Sequence, residues 1–176
     1  MPIKPDLLIW TDASRHNGTG ASGCAVVFGG GLWEDFGGFA VSLGMLSSAD
    51  VAEGYGHIYA LRFALWLHET YCLPREKRLF NKVVIVTDSQ HNSRDYDYLR
   101  YGAESASATP SDTTKVVVDL IKQLEKKSVG VEITWERRNS SLGNIEADRL
   151  AGVASCKAGQ GYGVQQWVEE MAVKQK

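Results

Sequence analysis

The sequence predicts an α/β protein built on a five-stranded mixed sheet flanked by helices, in the chain order βββαβαβα. Three features carry that expectation. Apolar runs punctuated by glycine fill the first forty or so residues, where a hairpin and a third strand give an antiparallel start. From Ser48 the apolar residues take up helical spacing, and another apolar strand follows that helix. A strand, a helix and a strand in this order imply a right-handed crossover into parallel pairing, which makes the sheet mixed.

Residues 7–13, LLIWTDA, form the first strand, and residues 21–30, ASGCAVVFGG, the second, leading into a glycine turn at Gly29 to Gly31. Residues 32–42, LWEDFGGFAVS, supply the third, where Gly37 and Gly38 mark a bulge or a close backbone approach. Val51, Ile58, Leu61, Leu65 and Leu67 outline a helix to about His68, with Ser47 or Ser48 as its N-cap. Gly54 and Gly56 weaken its first turns, each by up to about 1 kcal/mol. NKVVIVTD, residues 81–88, is the fourth strand; residues 89–101 allow a helix, and 102–112 form a polar loop. Val116, Val117, Leu120, Ile121 and Leu124 make one apolar stripe on a helix over 112–127. GVEITWE (130–136) is the fifth strand, RRNSSLG (137–143) a loop, and Asn144 to Ala158 the last helix. The expected organisation is a single domain over 1–176, with its core at about 7–158. In the 159–176 tail, Val164, Trp167, Val168 and Met171 either dock or fray.

With 44% hydrophobic and 23% charged residues the composition is that of an ordinary globular protein. No apolar stretch approaches the ~20 residues that span a bilayer, so no membrane association is expected. The opening MPIKPDLLIWTD lacks the long apolar segment of a signal peptide, and Cys24, Cys72 and Cys156 are odd in number without metal-ligand spacing. These features predict reduced thiols in the cytoplasm or nucleus. A net charge of −2 and a pI near 6.1 exclude a surface uniformly adhesive to nucleic acid while leaving room for a local basic strip. Arg75, Lys77, Arg78 and Lys82 read as a solvated charge run, and no protein partner is evident.

The fourth strand finishes on Asp88, the residue type a core tolerates least, and the first finishes on Thr11, Asp12, Ala13 and Ser14. In α/β sheets ligands bind beyond strand ends, where loops expose polar groups on a rigid base. If these two strands are neighbours, Asp12 and Asp88 lie side by side, and two carboxylates so close repel unless a cation neutralises them. Glu53 in the first helix and Asp148 in the last are two further acids. Oxygen ligands without a His/Cys cluster suit Mg²⁺, with Mn²⁺ second. Two divalent ions would balance four carboxylates.

The frames WTDAS, AE in a helix, VTDSQ and NIEADRLA, with acids separated by 41, 35 and 60 residues, resemble type 1 ribonuclease H over residues 7 to about 158. The resemblance implies a ribonuclease H-like fold and an endonuclease that hydrolyses the RNA strand of RNA–DNA hybrids with two Mg²⁺ ions. It implies Asp12, Glu53, Asp88 and Asp148 as catalytic, metal-holding acids. It also implies substrate contacts from Ser14, Arg15 and Asn17 in a flexible loop whose backbone reads 2′-hydroxyls, from Gln90 in the minor groove, and from Asn144.

The chain departs from the pattern in three places. The loop ahead of the last acid has no histidine; Arg138 takes its place, as in archaeal and plant-type relatives, where it can hold a phosphate but cannot shuttle a proton. The basic protrusion of some relatives is absent, and Asp50 stands where relatives often place asparagine. His57, one turn after Glu53, reads as a packed or partly exposed side chain rather than a ligand. It stays open as the source of any titration near pH 6 to 7, beside a metal-bound water. The intact acids favour an enzyme; the alternative is a catalytically silent ribonuclease H-like scaffold. A DNA-directed nuclease of the same fold is less attractive, because those exonucleases commonly begin Asp-x-Glu.

Overall fold

The computed structural model describes residues 6–30, 33–72, 79–101, 111–163 and 166–168. Residues 102–110 of the polar loop expected over 102–112, the basic residues at 75–78, Gly31, Leu32, Val164 and Met171 lie outside the described residues.

Strands β1 (Leu7–Arg15), β2 (Ala21–Gly30) and β3 (Trp33–Met45) form an antiparallel meander. Helix α1 (Ala49–Leu67) follows, capped by Ser48, whose hydroxyl accepts from the Asp50 N–H, and it runs into a π-helical turn over His68–Cys72. Strand β4 (Lys82–Thr87) pairs parallel with β1. Helices α2 (His91–Tyr101) and α3 (Asp112–Lys126) lead to β5 (Gly130–Trp135), parallel to β4. Helix α4 (Leu142–Gly159) completes the expected order. The five-stranded mixed sheet is present, and the tail adds a short β6 (Gln166–Val168) antiparallel to β3, giving the order β5-β4-β1-β2-β3-β6. Of the tail's apolar set, Trp167 and Val168 lie on this strand, paired through their backbone with Val41 and Ala40 of β3.

Alternation along the strands separates two cores. Leu7, Ile9, Cys24, Val26, Val41 and Leu43 face α1 and α3. Ala25, Val27 and Ala40 face α4, which answers with Ala147, Leu150, Ala151 and Ala154. The α4 side is built from small side chains, so that helix lies close to the sheet. A Cβ on Gly23 of β2 would come within 2.4 Å of the Ala154 Cβ.

Two expectations change. The glycines of α1 do more than weaken a helix, since a Cβ on Gly54 would lie 2.9 Å from Thr113 Oγ1 at the start of α3. The missing side chain lets the two helices touch, and tertiary packing outweighs the propensity cost. Strand β1 also does not end at Ala13. It continues beside β2 as far as the Arg15–Ser22 rung, because β2 still offers backbone partners after β4 has stopped.

Candidate active site

The last rung between the parallel strands β1 and β4 joins Thr11 to Thr87. One residue further on stand Asp12 and Asp88, so both acids leave the sheet at the point where the two strands part. Asp12 keeps its backbone in β1, paired with Ala25, and is 1% exposed. Glu53 reaches the same place from the first turns of α1. Asp12, Glu53 and Asp88 each bring a carboxylate oxygen to within 4.8 Å of the others.

That convergence is electrostatically costly. Burial, then Asp88 and Asp148, push the Asp12 carboxyl from its ordinary 3.8 up to about 7, against a lowering contribution from the Ala13 N–H, which donates to its Oδ1 at 2.8 Å. Burial, then Asp12 and Asp88, likewise hold Glu53 well above the ordinary range. Its Oε2 is buried without a hydrogen-bond partner among the described residues. An orphaned buried carboxylate oxygen facing two more carboxylates is the donor set of a hard divalent cation, and these residues fit one.

Asp148, on α4, is half-exposed and lies outside that cluster of three. Arg138 joins it to the others. Its Nε donates to Asp88 Oδ2 at 2.9 Å, while Nη2 lies 3.2 Å from Asp148 Oδ1 and 3.8 Å from Asp12 Oδ2. The guanidinium reaches this position because its loop is built to hold it. Asn139 adopts a left-handed φ of 59°, and its N–H donates to Asn144 Oδ1 at 2.5 Å. The Glu136 N–H donates to the Thr87 carbonyl. Glu136 Oε2 accepts from Ser141 Oγ and from the Trp10 indole, and Trp135 Nε1 donates to the Asp88 carbonyl.

The expected substrate contacts are placed unevenly. Asn144 is 1% exposed and spends its Oδ1 on Asn139, so in this structure it braces the Arg138 loop rather than presenting a surface. Ser14 and Arg15 belong to β1 and not to a flexible loop; Ser155 Oγ lies 3.1 Å from Ser14 Oγ, and Arg15 Nε donates to the Leu46 carbonyl. Asn17 is exposed at the turn between β1 and β2, and Gln90 is exposed just before α2. Sequence reasoning missed Glu136 and Ser141 as anchors. Their only signal is a serine able to cap α4, which Ser141 does by accepting from the Asn144 N–H.

His57 is buried, its Nδ1 2.7 Å from the Tyr96 hydroxyl, and burial lowers its pKa to about 4. It is therefore not the source of a titration near neutrality. Its ring protons followed by NMR should show no midpoint between about pH 5.5 and 8, whereas an ordinary value near 6.5 would mean a hydrated ring.

Strand order, mixed pairing and helix placement define a ribonuclease H-like α/β fold, with an acidic cluster that could hold a metal ion. Solved structures agree with that class. The chain is similar to the N-terminal RNase H domain of Rv2228c from Mycobacterium tuberculosis, solved as a fusion with maltose-binding protein, at 18% identity over 89% of this chain and 97% of that one, with a TM-score of 0.64. LC11-RNase H1, solved in complex with an RNA/DNA hybrid, is 19% identical over 87% of this chain and 99% of that one, with a TM-score of 0.61. RNase H1 from the halophilic archaeon Halobacterium salinarum NRC-1 is also 19% identical, over 87% and 99%, with a TM-score of 0.58. No protein-family model matches the sequence, and no curated protein matches it. Among the described residues no helix is long and apolar enough to cross a membrane.

Proposed function

We propose that the protein is a metal-dependent endonuclease that hydrolyses the RNA strand of RNA–DNA hybrids, with Mg²⁺ as its natural ion, two per site, and Mn²⁺ able to replace it. The observation that carries this reading is the convergence of Asp12, Glu53 and Asp88 where β1 and β4 part. The likeness to LC11-RNase H1, itself solved with an RNA/DNA hybrid, supports the choice of substrate.

Buried Asp12, Glu53 with its buried Oε2, and Asp88, just past the end of β4, would hold one ion; Asp148 with Asp12 would hold the second. Bound there, divalent ions supply the charge that makes a water nucleophilic and offsets the negative charge gathering on the phosphate. The protein's own part is orientation. A rigid strand pair sets Asp12 against Asp88, so the acids need not rearrange during reaction. Arg138, 58% exposed at the mouth, can turn its fork of N–H donors to a phosphate oxygen pair. Asn17 and Gln90 are exposed where a nucleic-acid strand can reach them, and we assign them to substrate contact.

The test is incubation of strand-labelled RNA–DNA hybrid, duplex DNA and duplex RNA with Mg²⁺, with Mn²⁺ and with chelator. Cleavage should be confined to the RNA strand of the hybrid and vanish with the chelator. Intact hybrid under every condition would overturn the enzyme in favour of a silent scaffold.

A further inference from the structure

The arginine at the mouth of the site touches acids that a pair of divalent ions would need. Nη2 of Arg138 lies 3.8 Å from Asp12 Oδ2 and 3.2 Å from Asp148 Oδ1, and Nε donates to Asp88 Oδ2 at 2.9 Å. Of the four acids only Glu53, in the buried half of the site, has no ion pair with it among the described residues.

Mg²⁺ and Mn²⁺ hold carboxylate oxygens at roughly 2.0–2.2 Å, so an ion shared by Asp12 and Asp148 would draw both oxygens onto itself. A guanidinium nitrogen cannot stand between the same two oxygens at the same time, for reasons of both space and charge. We infer that Arg138 is a tethered cation occupying the place of the second divalent ion, and that this ion enters only when Arg138 turns away to a phosphate. The inference rests on the proposed metal site and adds a rule for how that site loads.

Two features of the chain suit the exchange. The backbone under Arg138 is pinned by Asn139, Asn144 and Glu136, so the side chain swings from a fixed root. The side chain itself is 58% exposed, so leaving the acids requires no unpacking of the core. A nucleic-acid phosphate offers the departing fork a bidentate anion in exchange. The acids are then not left short of positive charge at any stage: the guanidinium serves first, the ion afterwards. Loading of the second ion becomes conditional on the polyanion that is to be cut.

The experiment is Mn²⁺ titration of the whole chain without nucleic acid, followed by electron paramagnetic resonance of free and bound Mn²⁺, for wild type, Arg138→Lys and Arg138→Ala. Wild type should bind one Mn²⁺ tightly. Arg138→Ala should bind a second with affinity raised at least about tenfold, the size of effect that neighbours of metal ligands exert, and with spin coupling between the two ions. Arg138→Lys should fall between, since an ammonium reaches fewer of the acids at once. Two tightly bound ions in wild type, or a single one in Arg138→Ala, would overturn the exchange and leave the proposed metal site standing. Absence of Mn²⁺ binding in all three proteins would remove the metal site itself.

Discussion

Replacing Asp12 by asparagine should lower hybrid cleavage by on the order of 10²–10³-fold or more, the scale lost when a preorganised charge is removed from a catalytic site. The same change should make the ion-free protein more stable at neutral pH. Asp12 is buried among like charges, and its carboxyl is pushed from 3.8 to about 7 by burial and then by Asp88. In the unfolded chain it loses its proton at the ordinary value, but in the folded one it keeps it to near neutrality. Its contribution to stability is therefore fully present below about pH 3.8 and is lost as pH rises through about 7. Asparagine carries no such dependence and also relieves Glu53, whose carboxyl Asp12 helps to raise. In chelator, the melting temperature of Asp12→Asn minus that of wild type should be small near pH 4 and grow to its largest value above about pH 7. Saturating Mg²⁺ should reverse the order, since an ion that binds only the folded wild type stabilises it by mass action. A variant that melts below wild type in chelator at about pH 8 would show that Asp12 is stabilised where it sits, and the metal-site assignment would fail with it.

The pairing of Asp12 with Asp88 was legible because it depends on little more than local pattern. Each follows a threonine at the end of a buried apolar run, and a strand–helix–strand order makes the two runs parallel neighbours. Glu53 was legible only through the order of motifs, since an acid in a first helical turn is otherwise an ordinary answer to the helix dipole. Strand β1 reads as ending at its first polar residues, and what carries it to Arg15 is the partner β2, which a local window does not contain. Arg138 illustrates the deeper limit. Its position depends on a left-handed Asn139, on a buried Asn144 five residues later, and on Glu136 held by Trp10 from the far end of the sequence. Asn144 enters through the motif it matches, yet a motif match cannot say whether an amide faces a ligand or a loop. His57 reads as packed rather than as a ligand and is indeed packed, but helical periodicity, which places it on the face of Glu53, does not reveal that Tyr96 from α2 closes over it.

The glycines of the α4 layer provide the second large effect, in which one substitution should act with opposite signs at two positions. Gly23 of β2 faces α4, and a Cβ there would lie 2.4 Å from Ala154 Cβ and 2.5 Å from the Ser155 backbone nitrogen. Backbone on the far side cannot step aside as a flexible side chain can, so Gly23→Ala must push α4 off the sheet. Overpacking of this kind costs about 1–3 kcal/mol. At 2–4 °C per kcal/mol for a chain of this size, melting should fall by roughly 2–12 °C. The displaced helix also carries Asp148 and Asn144, and Ser155 lies against Ser14 of β1, so the Arg138 loop and the fourth acid should shift against Asp12 and Asp88. Cleavage should therefore fall at temperatures where the variant is still fully folded. Gly152, in the same helix, is the contrasting position: nothing lies within 4 Å of its Cβ direction. Alanine in a helix interior is worth about 1 kcal/mol over glycine, so Gly152→Ala should raise melting by roughly 2–4 °C and leave cleavage unchanged. Calorimetry of the two variants with a cleavage assay on each decides the matter. A Gly23→Ala protein as stable as wild type would mean that α4 does not sit at the distance from β2 that brings Asp148 within reach of Arg138.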